Sequence, residues 1–362
     1  MHRKEKTELS GVKEIARRAK VSIATVDRVI HNRTGVAEKT RNRINKIIAE
    51  LNYQPNIFAR RLASRKNTEF AVLIPGVSVE TSYWQAPLEG IVQAEKEVRP
   101  LGITVTKYFF DQDDPSTFIK QSRLVLKSKV AGVLLAPLFI AESIAFIAAC
   151  REAGIPYVFI DADIPDQDKL SYIGPDLFQS GYLAGHLIRY GISGQAKLLV
   201  MNISEDISLA NMEPAGNHRL FRKEEGIRAY FKNNQLQQEI IKADLEKADQ
   251  SSIRKSLVKI LSANPGIQAI CVTNSRVSTV ARCLETMPGK HYFLVGFDFT
   301  DLNIEYLEKG VIDFIICDKP QEQGYRGIMT LYQGLVLGLV VEKVHYMPID
   351  IITKENYSFY RN

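Results

Sequence analysis

The chain has little of what covalent or metal chemistry needs. Its four cysteines (Cys150, Cys271, Cys283 and Cys317) show no CxxC or Cys–His spacing. No metal site or redox pair is expected, only buried free thiols in a reducing compartment. No uninterrupted apolar run reaches the ~18 residues of a membrane span. The longest candidate, residues 130–150, is broken by Gly132, Pro137, Glu142 and Ser143. The first ten residues are polar and charged, so no secretory signal is expected and the predicted location is cytoplasmic. No phosphate loop, nucleophile elbow or metal-binding spacing occurs. The sequence therefore predicts no catalytic residues, no cofactor and no enzyme.

What is present is unevenly spread. The 362 residues suggest two or three domains. Residues 1–66 hold 17 Lys or Arg against 6 Asp or Glu, a net of +11, while the rest of the chain nets −5. A basic head on a slightly acidic body is the footprint of a nucleic-acid partner. The head also has helical periodicity: Val12, Ile15, Ala16 and Ala19; then Val26, Val29 and Ile30; then Ile44, Ile47, Ile48 and Leu51. Ser10 or Gly11 is placed to cap the first helix, and Ser22 the second. Two short helices about a tight turn, with a third in support, make a helix-turn-helix.

The second helix exposes Ile23, Ala24, Asp27 and Arg28. Arg28 can take a guanine edge with two hydrogen bonds, and Ile23 and Ala24 suit thymine methyl groups. Asp27 can accept from a cytosine amino group or orient a neighbouring arginine. The stretches from Val12 to Ala16, Val21 to Ile30, Leu51 to Asn56 and Ala59 to Ala63 resemble the head of the lactose-repressor family. The resemblance implies DNA contacts from Ser22, Ile23, Ala24, Thr25, Asp27, Arg28, His31 and Tyr53. It further implies a hinge helix over Asn56–Ala63, with contacts from Asn56, Arg60, Leu62 and Ala63, Leu62 being the wedge in the minor groove. So short a helix is unstable alone and is expected to form only on DNA, beside its dimer mate. Two departures stand out: Lys20 replaces the usual turn glycine, and Asp27 the usual serine.

From Glu69 the pattern becomes short apolar strands alternating with helices, which means parallel sheets covered on both faces. Strands are expected at Phe70–Ile74, Thr104–Phe109, Gly132–Leu135, Tyr157–Ile160, Lys197–Met201, Glu239–Lys242, Ala269–Val272, Tyr292–Val295 and Asp313–Ile316. That is too many for one sheet, so two lobes are expected. The predicted fold class is α/β: an all-α helix-turn-helix head, then a two-lobed sensor with two doubly wound parallel sheets. The predicted layout is a head over 1–54 and a hinge over 55–67. One lobe takes 68–174 and 319–345, the other 175–318 and 346–362.

The strands stop at polar residues, among them Asp111, Asp161, Asn202, Asp244, Asn274, Asp298 and Asp318. Ligands of doubly wound sheets bind beyond such carboxyl ends. Short carboxylates and amides beside the aromatic faces of Tyr83 and Trp84 suit a polyol such as a sugar. The body resembles the periplasmic sugar-binding fold that the same family uses as a sensor. That implies ligand contacts from Tyr83, Trp84, Asp111, Pro137, Asp161, Asn202, Arg219 or Arg222, Asn274, Asp298 and Asp318. The expected protein is a homodimeric regulator of operator DNA, with a repressor's action, controlled by a small effector, a sugar first. The alternatives are a nucleobase or phosphorylated metabolite as effector, a plain solute-binding protein, or a sugar-processing enzyme.

Overall fold

The structure is a computed structural model and describes residues 11–30, 33–51, 53, 67–77, 82–204, 219–246, 249–287 and 289–362. The chain forms two compact units, residues 1–65 and 66–362. The hinge segment expected over residues 56–63 lies outside the described residues, as does His31.

In the first unit, α1 (Val12–Ala19), α2 (Ile23–Ile30) and α3 (Glu38–Glu50) enclose a small core. Ile15, Ala16, Ala19, Val26, Val29, Ile44 and Ile47 are buried in it, all at positions the helical periodicity selects. Lys20 ends α1 in the left-handed region at φ 50°, ψ 48°, where glycine would be unstrained. The strain, about 1 kcal/mol, lets the chain reverse tightly, with the Val21 N–H donating to the Ala16 carbonyl at 3.1 Å.

The second unit contains β1 (Thr68–Pro75), β2 (Ile103–Phe110), β3 (Gly132–Leu135), β4 (Tyr157–Ile160), β5 (Ser171–Gly174), β6 (Lys197–Ile203), β7 (Ile240–Leu245), β8 (Ile267–Val272), β9 (Phe293–Phe297), β10 (Phe314–Cys317), β11 (Val344–Tyr346) and β12 (Asp350–Ile352). They form two six-stranded sheets, in the orders β11-β5-β4-β3-β1-β2 and β12-β10-β9-β8-β6-β7. All pairings are parallel except β12 against β10. The nine expected strands are present. Three more were not legible: β11 and β12 are three residues long, too short to show a period, and β5, opening on Ser171 and ending on Gly174, shows no apolar run.

Helices α4 (Gln85–Val98), α5 (Pro115–Lys127), α6 (Ile140–Glu152), α7 (Leu177–Gly191), α8 (Arg219–Asn233), α9 (Gln250–Ala263), α10 (Val277–Glu285), α11 (Asp301–Glu308) and α12 (Pro320–Leu331) connect the strands. The chain leaves the first sheet after β5, returns to that lobe with α12, which packs on α4, β3 and β4, and passes back to the second sheet between β11 and β12. One helix pair in each lobe packs backbone to backbone through glycine. A Cβ on Gly90 would fall 1.8 Å from the Gln321 carbonyl oxygen, and one on Gly226 2.0 Å from that of Phe178. Among the described residues no helix is long and apolar enough to cross a membrane.

Candidate functional site

Parallel strands deliver their carboxyl ends to the same edge of each sheet, and the loops leaving those ends converge on one cleft. The first lobe contributes Tyr83 and Trp84, at the start of α4, and Gln112 and Asp113, after β2. The second contributes Ile203 and Ser204 at the end of β6, Arg219 opening α8, Asn274, Ser275 and Arg276 after β8, and Asp298 after β9. In this arrangement the cleft is nearly closed, with a cavity volume of about 20 Å³. Tyr83 and Trp84 stand edge to face, with centroids 5.1 Å apart.

Just behind this lining sits a group of buried carboxylates. Asp161, held at φ 70°, accepts a hydrogen bond from the Tyr83 hydroxyl on Oδ1 at 2.6 Å. Its Oδ2 lies 3.5 Å from the Arg219 guanidinium and has no hydrogen-bond partner among the described residues. Gln323 ties the group together. Its Oε1 accepts from the Asp161 N–H at 3.0 Å, and its Nε2 donates to the Asp318 carboxylate, also at 3.0 Å. Burial pushes the Asp298 carboxyl up to about 6, against the opposing pull of the Lys223 ammonium. Burial, reinforced by the charge of Asp298, pushes Asp318 up to about 8. Burial also holds the Tyr83 phenol well above its ordinary value, with Asp161, Asp318 and Asp298 adding to the effect, so it stays a donor. Lys223 is itself buried, its ammonium 4.0 Å from the Phe297 ring centroid and 3.2 Å from the Thr273 carbonyl oxygen. The arrangement offers hydroxyl acceptors, the guanidinium groups of Arg219 and Arg276 and flat aromatic edges, and holds no metal-binding group of His, Cys, Asp or Glu among the described residues.

Of the ligand contacts expected from sequence, Tyr83, Trp84, Arg219, Asn274 and Asp298 line the cleft. Asp161 and Asp318 lie behind it. Arg222 turns away, paired with Glu225 at 2.6 Å, so of the two candidate arginines it is Arg219 that reaches the cleft. Asp111 is a turn residue: its carboxylate accepts the Asp113 N–H at 3.0 Å, and the chain presents Gln112 and Asp113 instead. Asn202 is consumed within its own lobe. It donates to Glu224 and Asp244 at 2.8 Å each and accepts from the Thr273 hydroxyl at 2.8 Å. Pro137 is buried in the loop after β3 and does not line the cleft.

In the head, α2 presents Ser22, Ile23, Ala24 and Arg28 as exposed side chains, with Ile23 50% exposed. Ser22 caps the helix, accepting from the Thr25 N–H at 3.1 Å, and its hydroxyl is 2.9 Å from that of Thr25. Asp27 faces Arg33, with Nη1 to Oδ2 at 3.1 Å, an arrangement that matches the orienting role for Asp27. Tyr53 packs partly against the head core. Asn56, Arg60, Leu62 and Ala63 lie outside the described residues.

Residues 11–56 match the family described as bacterial regulatory proteins, lacI family, and residues 70–337 match the periplasmic binding protein domain. The chain belongs to the periplasmic-binding-protein-domain family and carries a lacI-family head. Among curated relatives, catabolite control protein A of Staphylococcus epidermidis is 31% identical over 172 residues, 46% of this chain and 48% of that protein. The same protein from Staphylococcus aureus (strain Mu50) is 48% identical over 65 residues, 18% of this chain and 20% of that one. The chain therefore spans about half or less of the length of the curated relatives it matches. Among solved structures, a candidate LacI transcriptional regulator from Bacteroides fragilis aligns over 82% of this chain and 100% of its own, with 26% identity and a TM-score of 0.74. GanP, a glucose-galactose binding protein from Geobacillus stearothermophilus, shares the fold of the body, with a TM-score of 0.69, 22% identity and coverage of 81% and 99%.

Within this lacI-family chain, sequence reasoning missed Gln112, Asp113, Ile203, Ser204, Ser275 and Arg276 as cleft residues. The signal was positional. The strand-end argument stops at the first polar residue, whereas the loops after β2 and β8 place their second to fourth residues in the cleft.

Proposed function

We propose that this protein is a sequence-specific DNA-binding regulator, a repressor by preference, whose grip on operator DNA is set by a neutral polyol, a sugar, held between the two lobes. The observation that carries the reading is the pairing, in one chain, of a basic helix-turn-helix with an exposed reading helix and a two-lobed body with a polar cleft lined from both lobes. Arg28 reads guanine and Ile23 and Ala24 pack on thymine methyls, while the basic side chains of the head neutralise phosphates. In the cleft, Asp161 Oδ2, which accepts no hydrogen bond among the described residues, and the Asp298 carboxylate accept sugar hydroxyls, Arg219 and Asn274 donate, and Tyr83 and Trp84 pack on the ring. The clustered carboxylates disfavour an anionic ligand. The protein works as a cytoplasmic homodimer, without catalysis or cofactor. Ligand changes how the two lobes are held against each other, the spacing of the paired hinge segments changes, and operator affinity follows.

The test is a thermal-shift panel of D-glucose, D-galactose, D-ribose and D-arabinose, with adenine and a sugar phosphate as contrasts, followed by operator selection and gel shift with and without the sugar that binds. Binding of a neutral sugar that changes operator affinity supports the reading. Hydrolysis or isomerisation of that sugar, or binding only of adenine or the phosphate, refutes it.

A further inference from the structure

Among the described residues two ion pairs join the lobes at the cleft, besides Lys319 with Asp350 where the chain crosses between them. One, Arg219 with Asp161, belongs to the cleft floor described above. The other lies among residues that neither strand ends nor family resemblance singled out. Nη2 of Arg276, in the second lobe, lies 3.1 Å and 3.2 Å from the two carboxylate oxygens of Asp113, in the first. Both residues line the cleft. The Arg276 side chain is only 8% exposed, against 28% for Asp113. A guanidinium so far out of water is costly unless charged or carbonyl oxygens meet it, and charge-assisted hydrogen bonds are roughly twice as strong as neutral ones.

Both ends are presented from pinned loops. The Arg276 N–H donates to the Asn274 side-chain oxygen at 3.3 Å, and the Asn274 amide donates to the Ile203 carbonyl at 2.7 Å. On the facing loop, Asp113 donates its N–H to Asp111, and Asp114 caps α5 by accepting the Ser116 N–H at 2.8 Å. Neither side chain needs to search for its partner once the lobes meet, so little conformational freedom opposes the bridge.

We propose that Arg276 and Asp113 form a latch that holds the two lobes together across the cleft before any ligand arrives, and that a ligand is admitted only when this bridge opens. The latch rests on interlobe geometry; only its consequence for ligand admission rests on the proposed function.

The experiment measures lobe spacing in the full chain without ligand. Nitroxide labels are placed on Lys120→Cys of α5 and Lys255→Cys of α9, both exposed positions; the four native cysteines are buried. Pulsed dipolar spectroscopy of this otherwise native chain should give one dominant short distance. Arg276→Ala and Asp113→Ala should each add a longer distance, raising the ratio of open to closed molecules by about tenfold. The exchanged pair Asp113→Arg with Arg276→Asp should restore the short distance. Single variants that leave the distribution unchanged overturn the latch. So does an exchanged pair that stays as open as the single variants, since Arg276 would then act by packing alone. If the distances behave as stated but no sugar in the panel binds, the sugar reading fails and the latch stands.

Discussion

Asp318 gives the body a specific pH dependence. Its carboxyl is 9% exposed, faces Asp298, and is pushed from 3.8 to about 8, first by burial and then by that neighbour's charge. An acid whose folded pKa is raised keeps its proton in the native state while the unfolded chain has lost it. Between 3.8 and about 8 the native state therefore binds the extra proton. Stability is greatest below the unfolded value and falls as pH rises through the window, by about 1.4 kcal/mol per unit. Taken alone, Asp318 would lose on the order of 5 kcal/mol by pH 8. Its titration is coupled to that of Asp298, so the loss belongs to the pair and is spread over the titration of both carboxyls. Asp318→Asn removes the titration and keeps an oxygen that accepts from Gln323. Urea unfolding of both proteins from pH 4 to pH 9, followed by Trp84 emission and circular dichroism, reads the difference. The variant should equal wild type near pH 4 and become progressively more stable, with a plateau above pH 8. A difference that does not change with pH, or one that favours wild type at high pH, would refute the buried-carboxylate account.

The head should lose discrimination among operator sequences when Arg28 becomes Ala, by about 1–3 kcal/mol; equal weakening on every sequence would make Arg28 a phosphate contact. In the cleft, Asp298→Ala should abolish the response of operator binding to the sugar while leaving ligand-free DNA binding intact, and a response at wild-type sugar concentrations would place the site elsewhere. Gly226→Ala should destabilise the second lobe by about 3 kcal/mol, because the new methyl meets the Phe178 carbonyl on α7; a melting temperature equal to wild type would show that the helices can separate freely. Leu62→Ala should reduce operator bending and weaken specific DNA binding more than non-specific binding, as a band-shift series on bent and straight probes would show.

The fold was largely legible because its signals are long and repeated. Helical spacing in residues 12–51 picked out the head core, and apolar runs marked nine of the strands. The turn after α1 was readable only as a tension. Lys20 stands where backbone geometry favours glycine, and the structure keeps that geometry with the lysine in it. The 3-residue strands β11 and β12 carry no period. Their pairing with β5 and β10 is decided by where the crossing segments run, which is tertiary information. Helix α11 is weakly marked in the sequence for a similar reason: its eight residues bury only Asn303, Tyr306 and Leu307, and one of the three is polar.

The site was legible in kind and blurred in detail, and the blur has a physical cause. A polar residue at a strand's carboxyl end has two ways to satisfy its hydrogen bonds: with the loops of its own lobe, or across the cleft. Asn202, still inside β6, has donors and acceptors of its own lobe on every side, and its amide is used up there. Asp298, one residue past β9, sits at the boundary and faces the cleft. Asp113 and Arg276 stand three and four residues past the ends of β2 and β8, far enough along their loops to reach the opposite lobe. The sequence shows residue type at each strand end but not how far the loop travels before the helix begins. Loop reach, then, separates residues that knit a lobe together from those that work between lobes. On that ground the interlobe bridge of Asp113 and Arg276, rather than the more conspicuous strand-end carboxylates, is where a single substitution should alter how the lobes move without altering how either lobe folds.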